Sequence, residues 1–223
     1  MSFKNLNDIY RRRALIPFLE AAESLSGHVV AVAVSKELKQ LSTQRSAMGI
    51  WKRLHGVHAG WDAKAFEEMA RVAHFFSLFL SVWSSPGMNI SWMTDEDDIV
   101  ANAGRLEDAH QFAARLSGIY VPHSLGEFMM NTPAVIADES AFEDFLAIPD
   151  LAAGMLGEVL SINSSDEAIR RPGMHGQKPL TQKSDTIADW FWHSTGTLKK
   201  TCILIDRATE GNFSIGQLKM SWE

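Results

Sequence analysis

Four consecutive carboxylates, Asp95, Glu96, Asp97 and Asp98, follow directly on an apolar, β-prone run in NISWMTDEDDIVANAG, residues 89–104. Four negative charges at one point repel one another, so water, a helix N-terminus or a cation must offset them. A helix start is one sufficient answer: Thr94 or Asp95 would be the N-cap, and the following acids would sit in the first turn, where the helix dipole favours negative charge. One cap and one or two first-turn acids fill that role, and a dipole worth under ~1 kcal/mol offsets the repulsion of four only in part. A hard divalent cation such as Mg²⁺ or Mn²⁺ offsets more. It takes oxygen ligands, keeps several waters and needs only a few converging carboxylates.

Ligands of that kind lie far apart in sequence and meet at the carboxyl ends of sheet strands. Asp95 has that position. Asp150, in AIPDLAAGML, is a second candidate: Pro149 is expected to restart a helix with Asp150 in its first turn, and Ala152, Ala153 and Gly154 allow close packing against a sheet. The pair Glu67 and Glu68, on the polar side of a helix whose other face is strongly apolar, is a third, although Lys64 and Arg71 stand at ion-pairing distance along that helix. His55 and His58 in HGVHAG have no Cys or further His at zinc-finger spacing and read as structural or surface residues, and His74 and His110 have no evident partner. Cys202, the single cysteine, reads as buried core because no base stands beside it. The chain has no GxGxxG, Walker A, GxSxG or HExxH pattern.

The elements that would position these residues follow from periodicity. DIYRRRALIPFLEAAESL predicts a helix with Ile9, Leu15, Ile16, Leu19 and Ala22 on one face and a new segment starting at Pro17. HVVAVAV (28–34) predicts a central strand covered on both faces. From Asp62, a plausible N-cap, the clearest helix carries Phe66, Met69, Ala73, Phe76 and Leu80 along its apolar side. ISWMT and HSLGEFMMNT predict strands, with a helix over IVANAGRLEDAHQFAARLSGIY between them. AFEDFLAIPDLAAGMLGEVLS is helical with a break at Pro149. NSSDEAIRRPGMHGQKPLTQKSD (163–185), rich in Ser, Gly and Pro and carrying Arg170, Arg171, His175, Lys178 and Lys183, predicts a mobile loop. A helix and the apolar strand CILID follow. Strands alternating with helices make the chain α/β with a mixed sheet.

In this order, and above all at ISWMTDEDDI and EDFLAIPDLAAG, the chain resembles a widespread family of RNase H-like proteins known only as a domain of unknown function. Its members open with an Asp-Glu-Ser-Gly strand and end with an "aDLvAG"-type helix. The resemblance covers roughly residues 28–160 and implies an RNase H-like mixed sheet flanked by helices. It also implies a metal-dependent nuclease in which acids converge on two Mg²⁺ or Mn²⁺ ions. By that likeness Asp95 is the acid at the central strand end and the ligand shared between the metals, Asp150 the late-helix acid, and Glu67 or Glu68 the acid of the first long helix. Asp97 or Asp98 would be a further or alternative ligand. Arg170, Arg171 and Lys178 would meet the phosphates of a nucleic acid. No Asp-Glu-Ser-Gly stands before HVVAVAV; the DES at 138–140 comes late in the chain. The chain is then a shortened form that begins after the first strands, or its site lacks one ligand. In the second case it is an inactive RNase H-like binding or interaction module, with a partner chain, a second copy or the N-terminal helix covering an exposed sheet edge.

Composition limits the alternatives. With 223 residues, 46% hydrophobic and 22% charged, the chain is expected to fold as a single domain over 1–223. A net charge of −6 gives it no basic surplus for bulk electrostatic binding of nucleic acid. The longest apolar segments, 72–83 and 28–34, fall short of the ~20 residues of a membrane span, and residues 1–23 lack a cleavage site. A cytoplasmic protein without membrane contact is the expectation.

Overall fold

A computed structural model of the chain describes residues 1–35, 60–94, 99–132, 139–162, 178–207 and 213–218. The architecture is mixed α/β, and the chain packs as two compact units, Met1–Leu38 with Glu143–Glu223, and Lys39–Phe142.

The first unit begins with a short 3-10 helix, Phe3–Asn7, whose Leu6 is fully buried. Asp8 caps α1 (Ile9–Glu23) by accepting the N–H groups of Tyr10 and Arg11 at 2.9 and 3.0 Å. Leu15, Leu19 and Ala22 turn into the core, while Ile9 and Ile16 stay more than half exposed, so the apolar stripe is narrower than expected. Pro17 lies inside this helix and starts no new segment. It sits on the exposed side, where the carbonyl it leaves unbonded can meet water.

Strand β1 (Gly27–Val34) pairs in parallel with β4 (Leu198–Arg207), from Gly27 opposite Leu198 to Val34 opposite Ile205, and β4 pairs antiparallel with β5 (Phe213–Gln217). The order is β1-β4-β5. Among the described strands β1 is therefore an edge, not the centre, and Val29 is its only buried residue. The small side chains Ala31 and Ala33 pack only partly against the core, so an unbroken apolar run here reflects modest side-chain size and not two covered faces.

Helix α4 (Glu139–Ile162) runs unbroken through Pro149, again on an exposed position. It buries Ile148, Leu151, Ala152, Met155 and Val159 against α1, α5 (Gln182–His193) and the sheet. Its stretch Phe142–Ile162, with mean hydropathy 1.6, is long and apolar enough to cross a membrane. Here the buried side of that stretch is the core of the first unit.

In the second unit Asp62 caps α2 (Ala63–Trp83), accepting the Ala65 N–H at 2.9 Å. Strands β2 (Ile90–Met93) and β3 (Phe128–Asn131) are parallel, with Ile90 opposite Phe128 and Met93 opposite Asn131. Helix α3 (Ala103–Tyr120) joins them as a crossover. Phe66, Met69 and Ala73 of α2 interlock with Ala109, Phe112, Ala113 and Leu116 of α3, closed by Trp61, Ile99, Val100 and Met130. Phe76 stacks on Trp92 at 4.3 Å between ring centroids. At the amino end of the strand pair, Gly126 lies so close to Asn89 that a Cβ there would come within 2.2 Å of its Oδ1, and that oxygen accepts the Glu127 N–H at 2.9 Å. Only glycine fits this approach.

Candidate functional site

The carboxyl end of β2 is where the acidic tract begins. The Thr94 N–H extends the ladder by one bond to the Asn131 carbonyl (3.1 Å), and Asp95, Glu96, Asp97 and Asp98 then lie outside the described residues. Ile99 and Val100, immediately after the tract, are buried in the core of the second unit. Helix α3 starts only at Ala103, capped by Asn102, whose Oδ1 accepts the Arg105 N–H at 3.0 Å, and no acid occupies its first turn. This corrects the expectation that Thr94 or Asp95 caps the helix: two apolar residues must first reach the core, and a different side chain does the capping.

The residues that lead into α2 are tied to the first two turns of α3. The Trp61 Nε1–H donates to Asp108 Oδ2 at 3.0 Å, and Asp108 is only 6% exposed. The Arg105 guanidinium donates to the Gly60 carbonyl at 3.0 Å, stands 3.5 Å from Asp62 Oδ2 and lies 5.0 Å from the centre of the Trp61 ring. The Asp62 carboxyl is held below its ordinary value, chiefly by the Ala65 N–H it accepts and also by Arg105.

The other residues assigned chemistry from the sequence are used differently. Glu67, in the second unit, forms an ion pair with Arg71 one turn along α2 and is largely buried, while Glu68 points to solvent. Asp150, in the first unit, is not a first-turn acid, since α4 runs through it; its Oδ2 accepts the backbone N–H of Phe3 at 2.7 Å. Lys178 is exposed. Arg170 and Arg171, like residues 163–177 of the expected loop and like His55 and His58, lie outside the described residues. The last residues of that expected loop are helix: α5 starts at Gln182. Among the described residues no three His, Cys, Asp or Glu side chains converge as a metal would require. Glu67 and Asp150 each have one carboxylate oxygen committed to a protein donor.

Further polar groups escape sequence reasoning because their partners are remote in the chain. Lys200, with a side chain 4% exposed, pairs with Glu23, donates to Ser194 Oγ at 2.6 Å and lies 4.9 Å from the Trp190 ring centre. Burial pushes the Glu23 carboxyl up, but Lys200, Ser194 and the Gly196 N–H outweigh it and hold the group below its ordinary value. Glu158 behaves alike: burial raises it, and bonds from Ser184 and from the Thr181 hydroxyl and N–H bring it below the usual range. It thereby supplies the anionic cap at the start of α5.

One Ser–His contact resembles a catalytic pair. His123 Nε2 is 3.1 Å from Ser84 Oγ, beside a cavity of about 470 Å³ lined by Ser117, Val121, His123, Ser124, Gly126 and Phe128. Ser84 Oγ also donates to the Leu80 carbonyl at the helix C-cap, an arrangement in which His123 Nε2 is the donor to Ser84 and not its base. His74 and His110, which had no evident partner in the sequence, meet the Tyr120 hydroxyl and the Phe128 carbonyl, each at 2.9 Å. Cys202 is 1% exposed and its thiol is pushed up to about 12 by burial, which makes it core and not a nucleophile.

The second unit also carries an outward apolar stripe on α2. Phe75, Phe79 and Trp83 stack in succession, at 6.5 and 5.2 Å between centroids, flanked by exposed Val72, Leu78 and Val82. Val82 is 68% and Trp83 48% exposed. Comparison of the chain with protein-family models, with characterised proteins and with solved structures gave no match.

Proposed function

We propose that the chain is a non-catalytic binding module on an RNase H-like plan that docks a second protein chain along the outward stripe of α2. The stripe carries this reading: three stacked rings and three aliphatic side chains on one helix flank are a larger apolar surface than scattered exposed residues would make. A second copy of the chain is the simplest occupant, because an apolar helix stripe is its own complement about a two-fold axis. Light scattering on the full chain tests it: the wild type is a dimer at micromolar concentration, and Val82→Lys with Trp83→Lys makes it monomeric with unchanged circular dichroism. A monomeric wild type rejects the reading.

One observation favours a second reading, a Mg²⁺- or Mn²⁺-dependent nuclease. The acidic tract follows the carboxyl end of a parallel strand pair, where α/β proteins place ligands. Asp95 and Asp97 would then hold the metal that activates water for phosphodiester cleavage, and Arg170, Arg171 and Lys178 would bind the nucleic acid. Cleavage of DNA or RNA by the wild type with Mn²⁺, abolished by Asp95→Asn, decides for this reading over the first.

A further inference from the structure

The N-terminal segment is held in an unusual way. Nearly all that Phe3 offers is met by side chains of two helices remote in sequence. Its backbone N–H donates to Asp150 Oδ2 at 2.7 Å. Its carbonyl accepts from Lys183 Nζ at 3.2 Å, and the same ammonium stands 4.2 Å from the centre of its ring and 3.3 Å from Asn7 Oδ1. The ring lies on Gly154 so closely that a Cβ there would come within 2.2 Å of Phe3 Cγ. Gly154 follows Asp150 by one turn of α4, and Lys183 is in the first turn of α5. A carboxylate for the amide, an ammonium for the carbonyl and ring, and a glycine floor for the ring together recognise one residue by its peptide group and its aromatic face.

We propose that Asp150, Gly154 and Lys183 form a binding seat for an aromatic residue in peptide linkage, filled in this chain by its own Phe3. The seat accounts for the carboxylate and the small residues of IPDLAAG without a metal: the acid takes a backbone N–H, and Gly154 leaves room for the ring. Leu6, buried in the core three residues on, anchors the segment independently of the seat, so emptying the seat does not detach the segment. This inference does not rest on the α2 stripe.

The test empties the seat and refills it. Removing residues 1–3, with Lys4 replaced by the initiating Met, takes away both the ring and the peptide group of Phe3 while Leu6 stays in the core; it lowers the melting temperature, and N-acetyl-L-phenylalaninamide in the tens of millimolar (on the order of 10–50 mM, for a weak ligand in excess of its Kd) restores several degrees. N-acetyl-L-alaninamide restores none and leaves the wild type unchanged, and adding Asp150→Ala to the shortened chain abolishes the restoration. Restoration by toluene equal to that by the amide, or restoration that survives Asp150→Ala, overturns the proposal, because either outcome reduces the seat to a hydrophobic gap. Should the shortened chain not fold, amide hydrogen exchange in Lys183→Ala serves instead: exchange at Phe3 speeds at least tenfold while that at Leu19 is unchanged. Equal acceleration at both positions overturns it.

Discussion

In the first unit charged side chains tie remote parts of the unit together, with Lys200 on Glu23, Glu158 on the start of α5 and Asp150 and Lys183 on Phe3, whereas in the second a stripe of apolar side chains on α2 stands exposed. There the acidic tract leaves the end of β2, and the aromatic stripe of α2 lies open. Both units build a helix-packed parallel strand pair, so the difference lies in what surrounds the strands. The first unit assembles its sheet from chain segments far apart in sequence and ties them by polar bonds. The second is contiguous and holds together through a dense aromatic core.

The comparison can be broken first at its strongest points. Lys200→Met leaves Glu23 without its cation in a largely buried place and is expected to cost about 3–5 kcal/mol. Phe112→Ala, in the second core, is expected to cost about as much, roughly 3–5 kcal/mol, through a cavity. Urea unfolding measures both, and a loss under ~1 kcal/mol for Lys200→Met would remove the distinction between a polar tie and an apolar one.

Acid comes next. Glu23 and Glu158 are held below the ordinary carboxylate value in the fold. The stability they add is therefore complete above their unfolded value near ~4.3 and is lost as pH falls through the lower folded values. Urea midpoints between pH 7 and pH 3 should fall along that course, and Glu158→Gln should flatten the fall. An unchanged slope in that variant would show that Glu158 titrates alike in both states. Trp61→Phe, which removes one donor from buried Asp108, is expected to cost about 1–3 kcal/mol. Smallest in stability is Val82→Lys, within about 0.5 kcal/mol, since an exposed site loses no packing, although it weakens self-association.

Much of the fold is legible in the sequence. The helix from Asp62 and its cap, the strands ISWM and FMMN, the crossover helix between them and the burial of Cys202 all follow from local periodicity and caps. Three readings fail for physical reasons. Pro17 and Pro149 are tolerated inside helices because each lies on an exposed side, which sequence does not reveal. HVVAVAV takes an edge among the described strands although its composition suits a centre. β5, FSIGQ, is hard to see in the sequence because its alternation spans only Phe213 and Ile215 and Gly216 interrupts it. Of the site, Glu67 and Asp150 could be named, but not their partners: Arg71 was visible at helical spacing, whereas Phe3 lies 147 residues from Asp150.

The parallel pairing of β1 with β4 bears on how the chain is made. His28 contacts Thr201, 173 residues later, so β1 leaves the ribosome long before its partner strand exists. At 5–20 residues per second the wait is roughly 9–35 s. The whole second unit emerges during that interval and can collapse on its own contacts. VVAVAV meanwhile has neither its neighbour nor a charge within it, which is the composition of a segment that pairs with other nascent chains. Factors that hold short apolar strands are thus expected to matter most during synthesis, and slowing translation beyond residue 142 is expected to lower the soluble yield.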